Sequence, residues 1–271
     1  MRQGDHRAIG VFDSGVGGLT VLKALMARLP LESTIYLGDT ARVPYGTKSA
    51  EVVTRYSLKN AEFLIGREIK LLVVACNTAS AAALPQLSRE LKVPVLGVIE
   101  PGAQAAAALS RSGHIGVIGT PATIRSGAYQ RALEAARPGV SVKGKPCPLF
   151  VPLAEEGWVH GDVPRLVARE YLAEFAHNGV DTLVLGCTHY PLLKDAIAEV
   201  VGERVKLVDS AEATAAAAAA LLETRGLLAP AGTSVQHRYF VTDVPDRFVD
   251  VGARFLGRRI DSAEQVDLNF V

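Results

Sequence analysis

Short apolar runs return throughout this chain, separated by longer amphipathic or alanine-rich stretches. Runs such as Leu71-Leu72-Val73-Val74-Ala75 and Leu183-Val184-Leu185 are apolar at every position, as strands covered on both faces should be. The pattern predicts strands over residues 9–13, 34–39, 71–76, 93–98, 114–120, 141–147, 182–187, 205–209 and 238–242. Helices are predicted between most of these, among them 18–28, 49–67, 123–136 and 163–178. Alternation sustained over a whole chain marks α/β architecture, with parallel sheets covered by helices on both faces.

The same pattern carries an internal echo. Ile9-Gly10-Val11-Phe12-Asp13-Ser14-Gly15 returns 106 positions later as Ile115-Gly116-Val117-Ile118-Gly119-Thr120-Pro121. Two runs that end in cysteine, at Cys76 and Cys187, lie 111 positions apart. Either the halves are variants of one plan, or the echo reflects what all strand–helix units share. On the first reading, residues 1–98 plus 211–271 form one α/β domain and 99–210 a second. Pro101-Gly102 would then mark the crossover, and Val208-Asp209-Ser210 the return of the C-terminal segment to the first domain.

Composition narrows the function classes. The 271 residues suit one large or two ordinary domains, and 49% of them are apolar. Lys plus Arg (29) balance Asp plus Glu (28), which gives no global electrostatic reason to bind nucleic acid or an anionic membrane. Three widely spaced cysteines make no disulfide framework, and no CxxC or Cys/His cluster suggests structural zinc. The charged N-terminus lacks the apolar core of a signal peptide, and the alanine-rich stretch 213–222 is too short to span a bilayer. The expectation is a cytoplasmic protein with a small-molecule partner, no nucleic-acid or membrane partner, and a homodimer left open.

The chemistry concentrates at the two repeated runs. Cys76 precedes Asn77-Thr78 and Cys187 precedes Thr188-His189, so each thiol is expected at the C-terminal tip of a buried strand, before a polar turn and a helix start. Ligands of open α/β sheets bind at such tips. Helix N-termini and nearby histidines favour thiolate, so both thiols are expected to titrate below the ordinary value of about 8.5. A lone unpaired cysteine is most often a small core residue; the shared placement is what favours chemistry here. Cys147, within Lys145-Pro146-Cys147-Pro148, has no helix start behind it and reads as structural.

Other motifs are less specific. Asp13-Ser14-Gly15-Val16-Gly17-Gly18 follows the first strand and opens a helix, but Thr20 stands where a dinucleotide fingerprint needs its third glycine. Asp13 can handle protons there or merely cap the turn. The loop from Gly38-Asp39 to Tyr45-Gly46 is either ligand-facing or a plain connection. Glu155 and Glu156 approach the second cysteine strand, although adjacent carboxylates commonly face solvent. His189 alone is as consistent with a cap as with a catalyst, and Trp158 reads as a packing residue.

Together these segments resemble the glutamate racemases of the cofactor-independent aspartate/glutamate racemase superfamily. The resemblance rests on Gly10 through Val21, Gly38-Asp39 through Tyr45-Gly46, Val74-Ala75-Cys76-Asn77-Thr78-Ala79-Ser80 and Gly116-Val117-Ile118-Gly119-Thr120. Phe150-Val151-Pro152-Leu153-Ala154-Glu155-Glu156-Gly157 and Leu185-Gly186-Cys187-Thr188-His189-Tyr190-Pro191-Leu192 complete it. It implies two flavodoxin-like parallel-sheet domains related by pseudo-symmetry, with the active site in the interdomain cleft. It also implies that Cys76 and Cys187 are paired bases acting at Cα of glutamate, without pyridoxal phosphate or metal, and that the D-glutamate serves bacterial peptidoglycan.

By the same resemblance, Asp13 would assist Cys76, while Glu155 and His189 would assist Cys187, with Glu156 as the alternative acid. Asp13, Ser14, Tyr45, Gly46, Asn77, Thr78, Thr120, Thr188 and His189 match substrate-binding positions. Ala154 departs from the pattern, where a larger aliphatic residue is common, and that affects local packing rather than chemistry. The rivals are an aspartate racemase, a non-catalytic amino-acid-binding protein, and a dithiol redox protein whose cysteine Cα atoms would stand about 4.4–6.8 Å apart.

Overall fold

The computed structural model describes residues 4–268. Strands β1 (Ile9–Asp13), β2 (Thr34–Gly38), β3 (Leu71–Val74) and β4 (Val95–Gly97) belong to a first sheet. Strands β5 (His114–Gly119), β6 (Ser141–Pro146), β7 (Thr182–Gly186) and β8 (Lys206–Asp209) form a second. The chain then returns to the first sheet with β9 (His237–Val241) and β10 (Glu264–Gln265). The pairings are parallel throughout.

The strand orders are β10-β9-β2-β1-β3-β4 and β6-β5-β7-β8. Four consecutive strands of the first sheet, β2-β1-β3-β4, have the same winding as the whole of the second. That is the flavodoxin-like order, whose ligand-binding switch point lies between the first and third strands of each unit. The sequence echo is therefore topological: residues 9–15 and 115–121 run through β1 and β5, and the two cysteines follow β3 and β7.

Helices cover both faces of each sheet. They are α1 (Leu19–Arg28), α2 (Ala50–Ile65), α3 (Asn77–Glu90), α4 (Ile99–Leu109), α5 (Pro121–Arg125), α6 (Ala128–Ala136), α7 (Phe150–Glu155), α8 (Asp162–Leu172), α9 (Lys194–Val201), α10 (Ser210–Arg225) and α11 (Pro245–Leu256). Side chains of a strand alternate between faces, and in β1, β2, β3 and β7 every position is buried. Ile9 and Val11 pack with Leu19, Leu22 and Phe255, while Phe12 packs with Val53, Leu64 and Val74 on the other side. In the second sheet Leu183 and Leu185 meet Phe150 and Leu172, while Val184 meets Ile99 and Leu133. Each such side chain contributes about 1.5–3 kcal/mol by leaving water, so the strand tips are held by rigid layers.

The alanine-rich stretch forms α10, which leaves the second sheet and packs on α1 of the first and on α4. Ala211, Ala215, Ala218 and Leu222 recur at helical spacing on its buried side. Small side chains let these helices approach closely where the chain crosses between sheets.

Pro101 and Gly102 lie in the first turn of α4, the helix between β4 of the first sheet and β5 of the second, where proline is tolerated because a helix N–H has no partner. Several expectations need correction. The helix expected over 123–136 breaks into α5 and α6 at Gly127, whose φ of +63° suits glycine. The one expected over 163–178 ends as α8 at Leu172 and continues as a 3₁₀ turn, Ala173–Ala176. Trp158 does not pack inside; it is 58% exposed. Among the described residues no helix is long and apolar enough to cross a membrane.

Candidate active site

The tip of β1 carries Asp13, fully buried, whose Oδ1 accepts the Gly15 N–H at 2.9 Å. Beside it, β3 ends and Cys76 turns the chain into α3 as its N-cap, with the Ala79 N–H donating to Sγ at 3.4 Å. Ser14 Oγ lies 3.7 Å from the same sulfur. This thiol does not titrate low as expected. Burial, reinforced by the charge of Asp13, pushes it up to about 12, against the weaker pull of the Ala79 N–H and Ser14. The helix start is present, but desolvation of the thiolate outweighs it.

The second tip is built differently. No α-helix starts directly after Cys187; a 3₁₀ turn, Tyr190–Leu193, intervenes before α9. What faces this sulfur is His189, with Nδ1 at 3.9 Å. On the far side of the ring, His189 Nε2 meets Glu155 Oε1 at 3.0 Å. Burial alone would lower the imidazole, but hydrogen bonds to Cys187 and Glu155, with the charges of Cys187 and Asp13, raise it to about 10. Glu155 is held below its ordinary value by His189 and Arg247 despite its burial. Glu156 instead points outward, toward Arg247 at 3.4 Å.

Helix α11, from the returning segment, closes over this pair. Phe255 meets the His189 ring edge-on at a centroid distance of 5.1 Å. Arg254 donates to the Glu155 carbonyl, and Arg247 lies 4.0 Å from the Glu155 carboxylate.

The two tips meet. Thr188 Oγ1 donates to Asp13 Oδ2 at 3.4 Å and lies 3.5 Å from His189 Nδ1. Thr20 donates to the Thr188 carbonyl at 3.3 Å. Gly17 sits so close to this loop that a Cβ there would strike Thr188 and come within 2.6 Å of His189 Cε1. Burial raises the Asp13 carboxyl, and the His189 charge works against that rise.

The remaining expected residues line the other flank. The Thr78, Thr120 and Thr123 hydroxyls form a ring at 2.9, 3.1 and 3.0 Å, joining α3 to the start of α5. Gly46 lies against Thr120. The Tyr45 hydroxyl is engaged by Asp39 and by Asn60 at 3.0 Å, so it stays with the first sheet. Asn77 Oδ1 accepts from Tyr129 at 2.7 Å, while its Nδ2 is buried without a protein partner. Cys147 is a fully buried member of the second core, its thiol pushed up to about 12 by burial.

Each sheet thus places one thiol near an acid: Cys76 near Asp13, and Cys187 near His189, whose far side meets Glu155. Residues 19–218 match the family model described as Asp/Glu/Hydantoin racemase. The chain belongs to the Asp/Glu/hydantoin racemase family. A glutamate racemase of Geobacter metallireducens is 62% identical over 97% of this chain and 97% of its own length. Among solved structures, a glutamate racemase from Bacillus anthracis superposes with a TM-score of 0.91 at 41% identity, covering 97% of this chain and 98% of that one. The Francisella tularensis glutamate racemase, solved with D-glutamate, also gives 0.91, at 42% identity over 98% and 99% of the two chains.

Family membership leaves some of the surroundings unannounced. Thr123, Tyr129, Arg247, Arg254 and Phe255 all reach the site's residues without having been singled out in the sequence. The Thr120-Pro121-Ala122-Thr123 spacing is a helix-start signal that would have found Thr123. The other four approach from distant segments and carry no local signature.

Proposed function

We propose that this chain interconverts L- and D-glutamate by a two-thiol proton transfer at Cα, without a cofactor. The observation that carries the reading is the Thr188 bridge. It links Asp13, beside Cys76, to His189, beside Cys187, which supports reading the two strand-tip thiols as parts of one site. The glutamate racemases to which the chain is similar support the substrate, as does the D-glutamate in the Francisella tularensis structure.

From L-glutamate, Cys187 takes the Cα proton while Cys76, as a neutral thiol, gives its own proton to the opposite face. One C–H bond breaks and one forms. The turnover leaves Cys187 protonated and Cys76 as thiolate, and exchange with solvent resets the pair. A Cα–H beside a carboxylate is a very weak acid, so positioning and charge must supply most of the rate. His189, kept cationic by Glu155, is the counter-ion for charge on Cys187.

In the D-to-L direction Cys76 must act as the base. The substrate ammonium, bound at Asp13, neutralises a charge that holds this thiol up. Donors from Ser14, Asn77 and Thr188 bind the carboxylates, and Tyr45, Gly46, Thr78 and Thr120 shape the remaining wall. Cys76 and Cys187 are only 5% and 6% exposed, so the domains, taken as 1–98 with 211–271 and 99–210, part to admit substrate.

We place the enzyme in the cytoplasm, with D-glutamate passing to peptidoglycan and hence to cell-wall biogenesis and cell shape. Polarimetry without added cofactor tests the activity. Optical rotation of either glutamate enantiomer should decay to zero, with aspartate turned over far more slowly. No decay with glutamate, or faster decay with aspartate, would overturn the reading.

A further inference from the structure

Tyr129 lies on α6, beside the second sheet, and is buried. Its ring covers Gly186, the residue before Cys187: a Cβ on that glycine would come within 2.9 Å of Tyr129 Cε2. Its hydroxyl crosses to the other unit and donates to Oδ1 of Asn77, the residue after Cys76, at 2.7 Å. One side chain therefore touches the neighbours of both thiols. Ser210, at the return crossing, and the same phenol both lie against Gly102.

The amide of Asn77 has two ends, and a hydrogen bond to one decides where the other points. With Oδ1 held by Tyr129, Nδ2 is the free end. It is buried and has no protein partner, and a buried polar group left unsatisfied is costly. A buried donor left open on the residue after a strand-tip thiol suits an anionic oxygen that arrives with the substrate.

We propose that Tyr129 is a positioning residue that locks the Asn77 amide with its N–H₂ toward a carboxylate of the substrate. Binding at the first sheet then depends on a side chain supplied by the second, so the carboxylate contact is complete only when the two units are together. The role rests on the glutamate reading above, and deepens it by naming what orients one of its donors. Burial pushes the phenol well up, which keeps it a donor at any working pH.

The test is a double-mutant cycle on the full chain, with kinetics from both enantiomers and thermal midpoints for each variant. Tyr129→Phe keeps the ring on Gly186 and removes only the hydroxyl. It should raise KM for L- and D-glutamate about tenfold with kcat changed less than about threefold, the loss of one oriented hydrogen bond to a charged group. Asn77→Ala should raise KM at least as much, and adding Tyr129→Phe to it should cost less than about twofold more, because the tyrosine acts through the amide. Wild-type KM in Tyr129→Phe, or losses that multiply in the double variant, would overturn the proposal while leaving the racemase reading intact. A lowered thermal midpoint with unchanged KM would assign Tyr129 to packing alone. A wild-type chain that turns over no glutamate would remove the substrate reading first, and this role with it.

Discussion

The two thiol sites occupy equivalent places in equivalent windings, yet their surroundings differ. Cys76 caps an α-helix, has a carboxylate and a serine beside it, and is held protonated by burial and the Asp13 charge. Cys187 has no α-helix start directly behind it, and faces an imidazole that Glu155 keeps cationic. In the proposed mechanism the first half gives a proton to L-glutamate and the second takes one. Matching windings set two sulfurs at matching strand tips, and different loops behind them give different electrostatic settings, which suits the proposed reaction, in which one acid and one base are needed at each moment.

Removing either thiol should have the largest effect. Cys76→Ser and Cys187→Ser should each slow racemisation by about 10²–10⁴-fold, as expected when a positioned proton-transfer group is lost. Near-normal turnover in either variant would break the comparison at its root.

Replacing His189 by Asn should come next, and should separate the halves. Enantiomers have equal free energies, so kcat/KM must fall equally from both sides in every variant. The asymmetry belongs to kcat, which should fall about 10²-fold from L-glutamate and less from D-glutamate. Equal changes in both kcat values would show that His189 serves the two thiols alike. Glu155→Gln should reproduce the pattern at about tenfold, while Glu156→Gln should stay within about twofold, since only Glu155 holds the imidazole.

The smallest effect is on stability. His189 titrates above its ordinary 6.5, so its contribution is complete below that pH and is lost as pH rises through about 10. The thermal-midpoint gap between wild type and His189→Asn should therefore narrow from pH 6.5 to 10, by about 2–4 °C for each kcal/mol lost. A gap that stays constant or widens over that interval would contradict the charged dyad.

Much of this was legible in the sequence because the central strands β1, β3 and β7 are covered on both faces. β3 and β7 show as unbroken apolar runs, and the residues after them stand out by contrast. Which strands are neighbours is not a local property, but the repeated spacing of Cys76 and Cys187 carried that information indirectly. The elevated thiol of Cys76 was hidden for a physical reason: a helix start is visible in sequence, whereas the burial that outweighs it comes from the surrounding fold. Tyr129, Arg254 and Phe255 were hidden likewise, since they reach the site only after distant elements pack. The family pattern favours Glu155 over Glu156, but nothing local to these adjacent carboxylates shows why; the direction of their side chains does, Glu155 toward His189 and Glu156 toward Arg247.

The central claim is that different sulfurs serve the two faces of Cα, and isotope transfer tests it most directly. L-Glutamate is incubated with the enzyme in deuterated water, and both enantiomers are recovered well before equilibrium for mass analysis at Cα. The account predicts D-glutamate carrying one deuterium there and recovered L-glutamate still carrying protium, because the proton given differs from the proton taken. A substantial share of early D-glutamate that keeps its original protium would mean one group works both faces, and would contradict it.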